Sequence, residues 1–223
     1  MEDQHKELLR TARAAGLWYL ALAISGVIGF LVLHSRIYVA DIAQTVANLQ
    51  EQEMLARWRL LTEFVIIVSQ ALAAVYFYKL FREINPAAAW ALAAWGTMNA
   101  AAIMVSAMAM GGAIDVALGE ASPSEKLLMI QIFSQVIKNA WGVGGLFFGL
   151  WLIPMGYMVV RSQRMPLWLG RTLMIGGVGY VASAFLSYAG ITFSWISVLT
   201  LPATIGEFWM IGYLLIFGIR PKA

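Results

Sequence analysis

The chain has 223 residues, of which 61% are hydrophobic and 12% charged, with mean hydropathy +0.76, formal net charge +3 and pI near 9.3. A soluble domain is nearer half apolar and a quarter charged, and here the apolar residues fall in long uncharged runs, so the surrounding medium is lipid. That excludes a cytosolic enzyme, a disordered chain and a nucleic-acid binder; the basic excess belongs to loops that orient a membrane protein. There are no cysteines and two histidines, His5 and His34, which lie at opposite ends of the first apolar run. Disulfides, zinc sites, iron–sulfur clusters and bis-histidine haem therefore lack ligands, and neither a cofactor nor a metal is expected.

Uncharged stretches long enough to cross about 30 Å of hydrocarbon predict an all-α, polytopic membrane fold with six transmembrane helices. They fall at about 14–33, 60–78, 87–114, 128–160, 172–189 and 195–218, read as a single domain over the whole chain. The first follows Lys6, Arg10 and Arg13, as a signal peptide would, but its run is too long and lacks a small-residue cleavage site. The stretch Ser35–Arg57 is too long for a bare turn. Asp41 with Gln44 marks a helix start, and Ile42, Val46 and Leu49 recur at helical spacing, which predicts a short amphipathic helix on the outer surface.

The second span carries Glu63, and the third is long enough to tilt. Ser122, Pro123 and Glu125 put a cap, a first-turn proline and a capping-box acid in register. From there a helical pattern continues to Val160, roughly 38 residues or about 57 Å. Its first turns then project from the bilayer, or the glycines near Gly142 break it. The last two spans are joined by a short link and form an antiparallel hairpin. Trp18, Trp58, Trp168 and Trp195 sit near span ends, as interfacial aromatics do.

Charge sets direction. The N-terminal segment, the loop at Lys79 and Arg82, the loop with Arg161, Arg164 and Arg171, and the tail with Arg220 and Lys222 hold ten of the fifteen basic residues. Arg36, Arg57, Arg59, Lys126 and Lys138 lie on the other side. By the positive-inside rule both termini are cytoplasmic.

An ionisable group within a span costs at least a few kcal/mol, so Glu63, Lys138 and Glu207 each need an explanation. At about 1.5 Å per residue the two glutamates lie at similar depth, and Lys138 sits near the outer boundary, from which it can reach toward Glu63. On the fourth span Gln131, Gln135, Lys138, Gly142, Gly145 and Gly149 form one stripe, polar outside and glycine inside. Gly145 and Gly149 make a GxxxG pair suited to close helix packing, and Gly142 in the same stripe and Gly176 in the fifth span are read as packing glycines too. Glu63 and Gln70 share a face of the second span, Asn99 and Ser106 of the third, Tyr180, Ser183 and Ser187 of the fifth, and Thr200, Thr204 and Glu207 of the sixth. Lipid cannot satisfy these groups, so the faces converge inward. Either they only hold the bundle together, or they line a cavity in which Glu63, Glu207, Lys138, Asn99, Gln135, Gln70 and Tyr180 bind a ligand. The methionines Met98, Met104, Met108 and Met110 read as apolar filling.

Several segments together resemble a bacterial membrane family known as domain of unknown function 4386. They are Arg13–Leu20 (RAAGLWYL), Tyr78-Lys79-Leu80-Phe81-Arg82 with Asn85, Phe147-Phe148-Gly149, Gly156-Tyr157, Arg161-Ser162, Pro166 with Leu169-Gly170, Gly176–Tyr180 (GGVGY), and Pro202 with Gly206-Glu207. The resemblance implies a six-helix protein of the bacterial inner membrane and brings no established activity. It also implies acidic residues at Glu63 and Glu207. The chain departs from the pattern in the third span, where Gly96 stands near an expected arginine and Asn99 replaces a longer amide.

Three functions compete. The first is binding of a small polar molecule, ion or lipid headgroup in a cavity lined by Glu63 and Glu207, with transport as an extension and oligomerisation as its corollary. The second is a structural or regulatory subunit that binds other membrane proteins. The third is an intramembrane enzyme acting on a lipid, against which stands the want of a nucleophile, a histidine cluster, HExxH or GxSxG. Membrane lipids are partners in every case.

Overall fold

Helix α1 begins at Glu2 and is regular to Gly26, then widens into a π-helical stretch, Val27–His34, before a last α turn, Ser35–Ile37. This computed structural model describes residues 2–191 and 193–221. After α1 come α2 (Ile42–Glu51), α3 (Glu53–Phe81), α4 (Pro86–Leu118), α5 (Pro123–Ser162) and α6 (Leu167–Tyr188). A 3₁₀ segment, Ser194–Thr200, leads into α7 (Leu201–Ile216). No strand occurs among the described residues. Six helical segments are long and apolar enough to cross a membrane: Asp3–Ile37, Glu53–Phe81, Pro86–Leu118, Pro123–Ser162, Leu167–Tyr188 and Ser194–Ile216.

The helices overrun their apolar runs, because charged residues at the ends are themselves good helix formers. Thus α1 includes the Glu2–Arg13 stretch, and α3 starts seven residues ahead of Leu60. The capping box at the start of α5 is fully formed. Ser122 donates its backbone N–H and its hydroxyl to Glu125 Oε2 at 2.8 and 2.6 Å. The Glu125 N–H reaches back to Ser122 Oγ at 3.4 Å. From that start α5 runs 40 residues unbroken past Gly142 and through Pro154. The glycines near Gly142 therefore do not interrupt it, and the helix stays whole at a length of about 60 Å.

Asp41 caps α2 by accepting from the Ala43 N–H at 2.9 Å. The buried face of α2 is Thr45, Asn48 and Leu49, with Ile42 and Val46 half-buried. That face is rotated toward the polar side of the stripe because two of its side chains satisfy the preceding turn. Asn48 donates to the Ile37 carbonyl at 3.2 Å, and Thr45 Oγ1 accepts from the Val39 N–H at 3.1 Å. Gln50 then donates to the Ala117 carbonyl at 2.9 Å.

The chain forms two compact units: Met1–Leu20, Ser69–Asn99 and Val143–Ala223 in the first, Ala21–Val68 and Ala100–Gly142 in the second. In the first, α5 and α6 meet through glycine. A Cβ on Gly149 would stand 2.7 Å from the Gly177 carbonyl oxygen, and one on Gly177 would stand 2.7 Å from that of Gly149. Gly156 and Gly170 oppose each other in the same way. Seven residues along α5 match seven back along α6, so two antiparallel helices touch backbone to backbone at both levels. Gly176 and Gly179 play that part toward Ala203 and Leu199, and Gly206 toward Leu173, drawing α7 onto α6. In the second unit, Ile37, Leu49, Ala56, Ala113, Ile114, Ala117 and Ile130 form a buried apolar cluster.

Candidate functional site

The two deep glutamates differ in how their charge is met. Glu63, on α3 in the second unit, is fully buried, as is Arg59 one turn before it. Arg59 Nη2 donates to Glu63 Oε1 at 2.8 Å. The same oxygen accepts from Ser106 Oγ on α4 at 2.9 Å and from Trp141 Nε1 on α5 at 2.9 Å. One carboxylate oxygen thus ties three helices, while Glu63 Oε2 and Arg59 Nε are buried without a partner.

The π-helical stretch packs against this ion pair. Gly29 leaves space for Thr62 and the Arg59 guanidinium: a Cβ there would stand 2.6 Å from Thr62 Oγ1 and 3.5 Å from Arg59 Nη1. Phe30 meets Trp141 at 5.1 Å and stacks on His34 at 5.2 Å, and His34 stacks on Tyr38 at 4.9 Å. Burial pushes the Tyr38 hydroxyl well above the ordinary phenol range. Wide π turns recur at functional or strained places in helices, and here the turn lies beside a buried ion pair.

Glu207, on α7 in the first unit, is half-buried and accepts one hydrogen bond, from Tyr19 Oη on α1 at 2.7 Å. No basic side chain among the described residues pairs with it. Tyr180 on α6 stands within its electrostatic reach. Tyr19 opens a chain of rings: Tyr19 to Trp151 at 5.1 Å, Trp151 to Phe148 at 5.4 Å, Phe148 to Tyr180 at 5.4 Å. Phe77 closes on Tyr19 at 5.7 Å and on Trp151 at 5.9 Å. The glycine contacts explain the placing of Tyr180: Gly149 has no side chain to displace its Cβ.

The remaining residues singled out from the sequence fall in various places. Lys138 and Gln135 are exposed on α5, and Glu63 draws its cation from Arg59 on its own helix, not from Lys138. Gln70 is fully buried in the first unit with neither amide atom partnered, and Trp151 Nε1 is likewise buried and unpartnered. Gln70 shares a face of α3 with Ala74. A Cβ on Gly96 would stand 2.9 Å from Ala74 Cβ and 3.1 Å from Trp151 Nε1, and Asn99, also buried, lies one turn along α4 from Gly96. Gly149 and Gly176 make close helix contacts, Gly145 has Tyr180 Cδ1 at an ordinary 3.9 Å, and Gly142 is half-buried. Among the described residues no group of His, Cys, Asp and Glu could hold a metal ion.

Arg59, Ser106, Trp141 and Tyr19 complete the two centres and were not among the predicted site residues. Arg59 had a local signal, a cation one helical turn before a membrane-embedded acid. Tyr19 had none, because 188 residues separate it from Glu207.

Helices of this length and apolarity, with backbone contacts through glycine and polar side chains turned to one another, define a multi-pass membrane protein. The chain belongs to the family described as Domain of unknown function (DUF4386), which matches residues 14–218. It is also similar to an uncharacterized protein of Archaeoglobus fulgidus, 38% identical over 48 residues, 22% of this chain and 30% of that protein. The chain thus spans about a third of that relative's length. No solved structure matches.

Proposed function

We propose that this chain is a bacterial inner-membrane protein, both termini cytoplasmic, that binds a small polar ligand within the bilayer at Glu207. The observation that carries the reading is the contrast between the two acids. Glu63 is neutralised by Arg59 and hydrogen-bonded by Ser106 and Trp141, as a structural cross-link would be. Among the described residues Glu207 has a single tyrosine hydroxyl and no counter-charge. A carboxylate at mid-span is costly unless something offsets its charge, and intramembrane acids of that kind mark ligand or ion sites. The orientation is supported by charge: ten of the fifteen basic residues lie in the two terminal segments and the two loops read on their side.

The test is native mass spectrometry of the purified chain released from lipid nanodiscs. A bound species should be retained by the wild type and by Glu63→Gln, and lost from Glu207→Gln. Equal retention in Glu207→Gln, or no retained species in any form, overturns the reading. A stoichiometric membrane protein retained in place of a small species would favour the structural-subunit alternative, which the cross-linked Glu63 centre suits.

A further inference from the structure

We propose that the Glu207 site takes the head of an organic ammonium ion, an inference that rests on the reading of Glu207 as a ligand site. Three observations point to that chemistry. When ionised the side chain carries a negative charge that no basic group among the described residues offsets, so the complementary ligand is a cation. The group that holds it belongs to an aromatic run: Tyr19 donates to Glu207, Trp151 and Phe148 link Tyr19 to Tyr180 through ring contacts, and Tyr180 lies within electrostatic reach of the acid. Ring faces attract alkylammonium groups through their quadrupole, and carboxylate plus aromatic faces is the usual recipe for such ions. Tyr180 is also not fully enclosed. It is half-buried, and Gly145 on the facing helix offers only its backbone there, with room left for a Cβ at van der Waals distance.

An inorganic cation fits less well. Hard cations want about six oxygen ligands, and this neighbourhood supplies one carboxylate and two phenols amid carbon. Among the described residues no acidic or histidine cluster adds to them. The ammonium group can come from a free amine or from an aminophospholipid headgroup; the chemistry recognised is the same.

The experiment uses the full chain in nanodiscs of phosphatidylglycerol alone, with thermal unfolding followed by intrinsic tryptophan fluorescence. The probes are choline, its neutral carbon isostere, and sodium at equal ionic strength. Choline should raise the midpoint saturably, and the isostere and sodium should not. Glu207→Gln should abolish the shift, Tyr180→Phe should keep affinity within about threefold, and Tyr180→Leu should lose about tenfold. The isostere comparison stands even where Tyr180→Leu fails to fold. A shift with sodium equal to that with choline, abolished by Glu207→Gln, overturns the ammonium assignment and leaves the Glu207 site standing. Equal shifts with choline and the isostere also overturn it. No shift with any probe, in wild type and Glu207→Gln alike, overturns both. In nanodiscs containing phosphatidylethanolamine, loss of the choline shift with retention of that lipid by native mass spectrometry assigns the ammonium group to the headgroup. An undiminished shift assigns it to a free amine.

Discussion

Arg59→Met is the most informative single change, because it removes the counter-charge of Glu63 and leaves the rest of the centre in place. Glu63 Oε1 would keep Ser106 and Trp141, each at 2.9 Å, and lose Arg59 at 2.8 Å. Breaking a buried ion pair from one side costs about 3–5 kcal/mol, because the remaining charge stays buried and uncompensated. In a chain of this size that is a fall in midpoint of roughly 6–20 °C. Glu63→Gln is the converse: the amide oxygen still accepts from Ser106 and Trp141, and the guanidinium is left alone. The double variant Arg59→Met/Glu63→Gln carries neither charge and keeps both neutral donors. It should therefore recover to within about 1 kcal/mol of the wild type, a coupling of at least about 2 kcal/mol in the double-mutant cycle. Equilibrium unfolding in mixed micelles reads all four forms. If the double variant is as unstable as the sum of the singles, Arg59 and Glu63 do not neutralise each other and the structural role assigned to the pair falls.

Other outcomes follow from the same contacts. Gly149→Ala and Gly177→Ala should each lower the unfolding midpoint, since their Cβ atoms would meet facing backbone oxygens, whereas Gly145→Ala should leave it unchanged. Gln70→Leu should raise the midpoint, because a buried amide with neither atom partnered costs more than the apolar group that replaces it. Ser122→Ala should cost about 1 kcal/mol, and Glu125→Ala a similar amount, by opening the capping box on α5. The chain has no cysteine, so single cysteines report topology directly: one at Ser194 should react with an impermeant maleimide in intact cells, and one at Gln163 only after permeabilisation.

Much of the helical layout is legible in composition alone, because lipid demands continuous apolar runs and satisfied backbones. The α5 start is legible for a different reason: Ser122, Pro123 and Glu125 act within one turn, so no distant partner is needed. The centres are less legible. Arg59 reads from composition as one of several loop arginines on the outer side, yet it is fully buried, since its partner lies one turn along the same helix. Lys138 reads as a cation near the outer boundary that can reach toward Glu63, but its face of α5 is exposed and Glu63 pairs with Arg59. Helical periodicity gives faces and leaves open which neighbour each face meets. The glycine contacts show the same limit. The GxxxG spacing draws the eye to Gly145 and Gly149, whereas the close approach uses Gly149 and Gly156 against Gly177 and Gly170, a step of seven visible only when two helices are read together.

The wide turn at Val27–His34 also bears on how the chain tolerates changes of length. A π turn stores about one residue more than an α turn over the same arc. A chain short of one residue anywhere in that stretch can close it into α geometry and keep Ser25 and Ile37 at nearly the same angle about the helix axis. A chain with an extra residue has no such reserve, because the stretch is already overfilled and Gly29 already meets Thr62. Length variation in this helix should therefore run one way, with deletions absorbed where insertions are not.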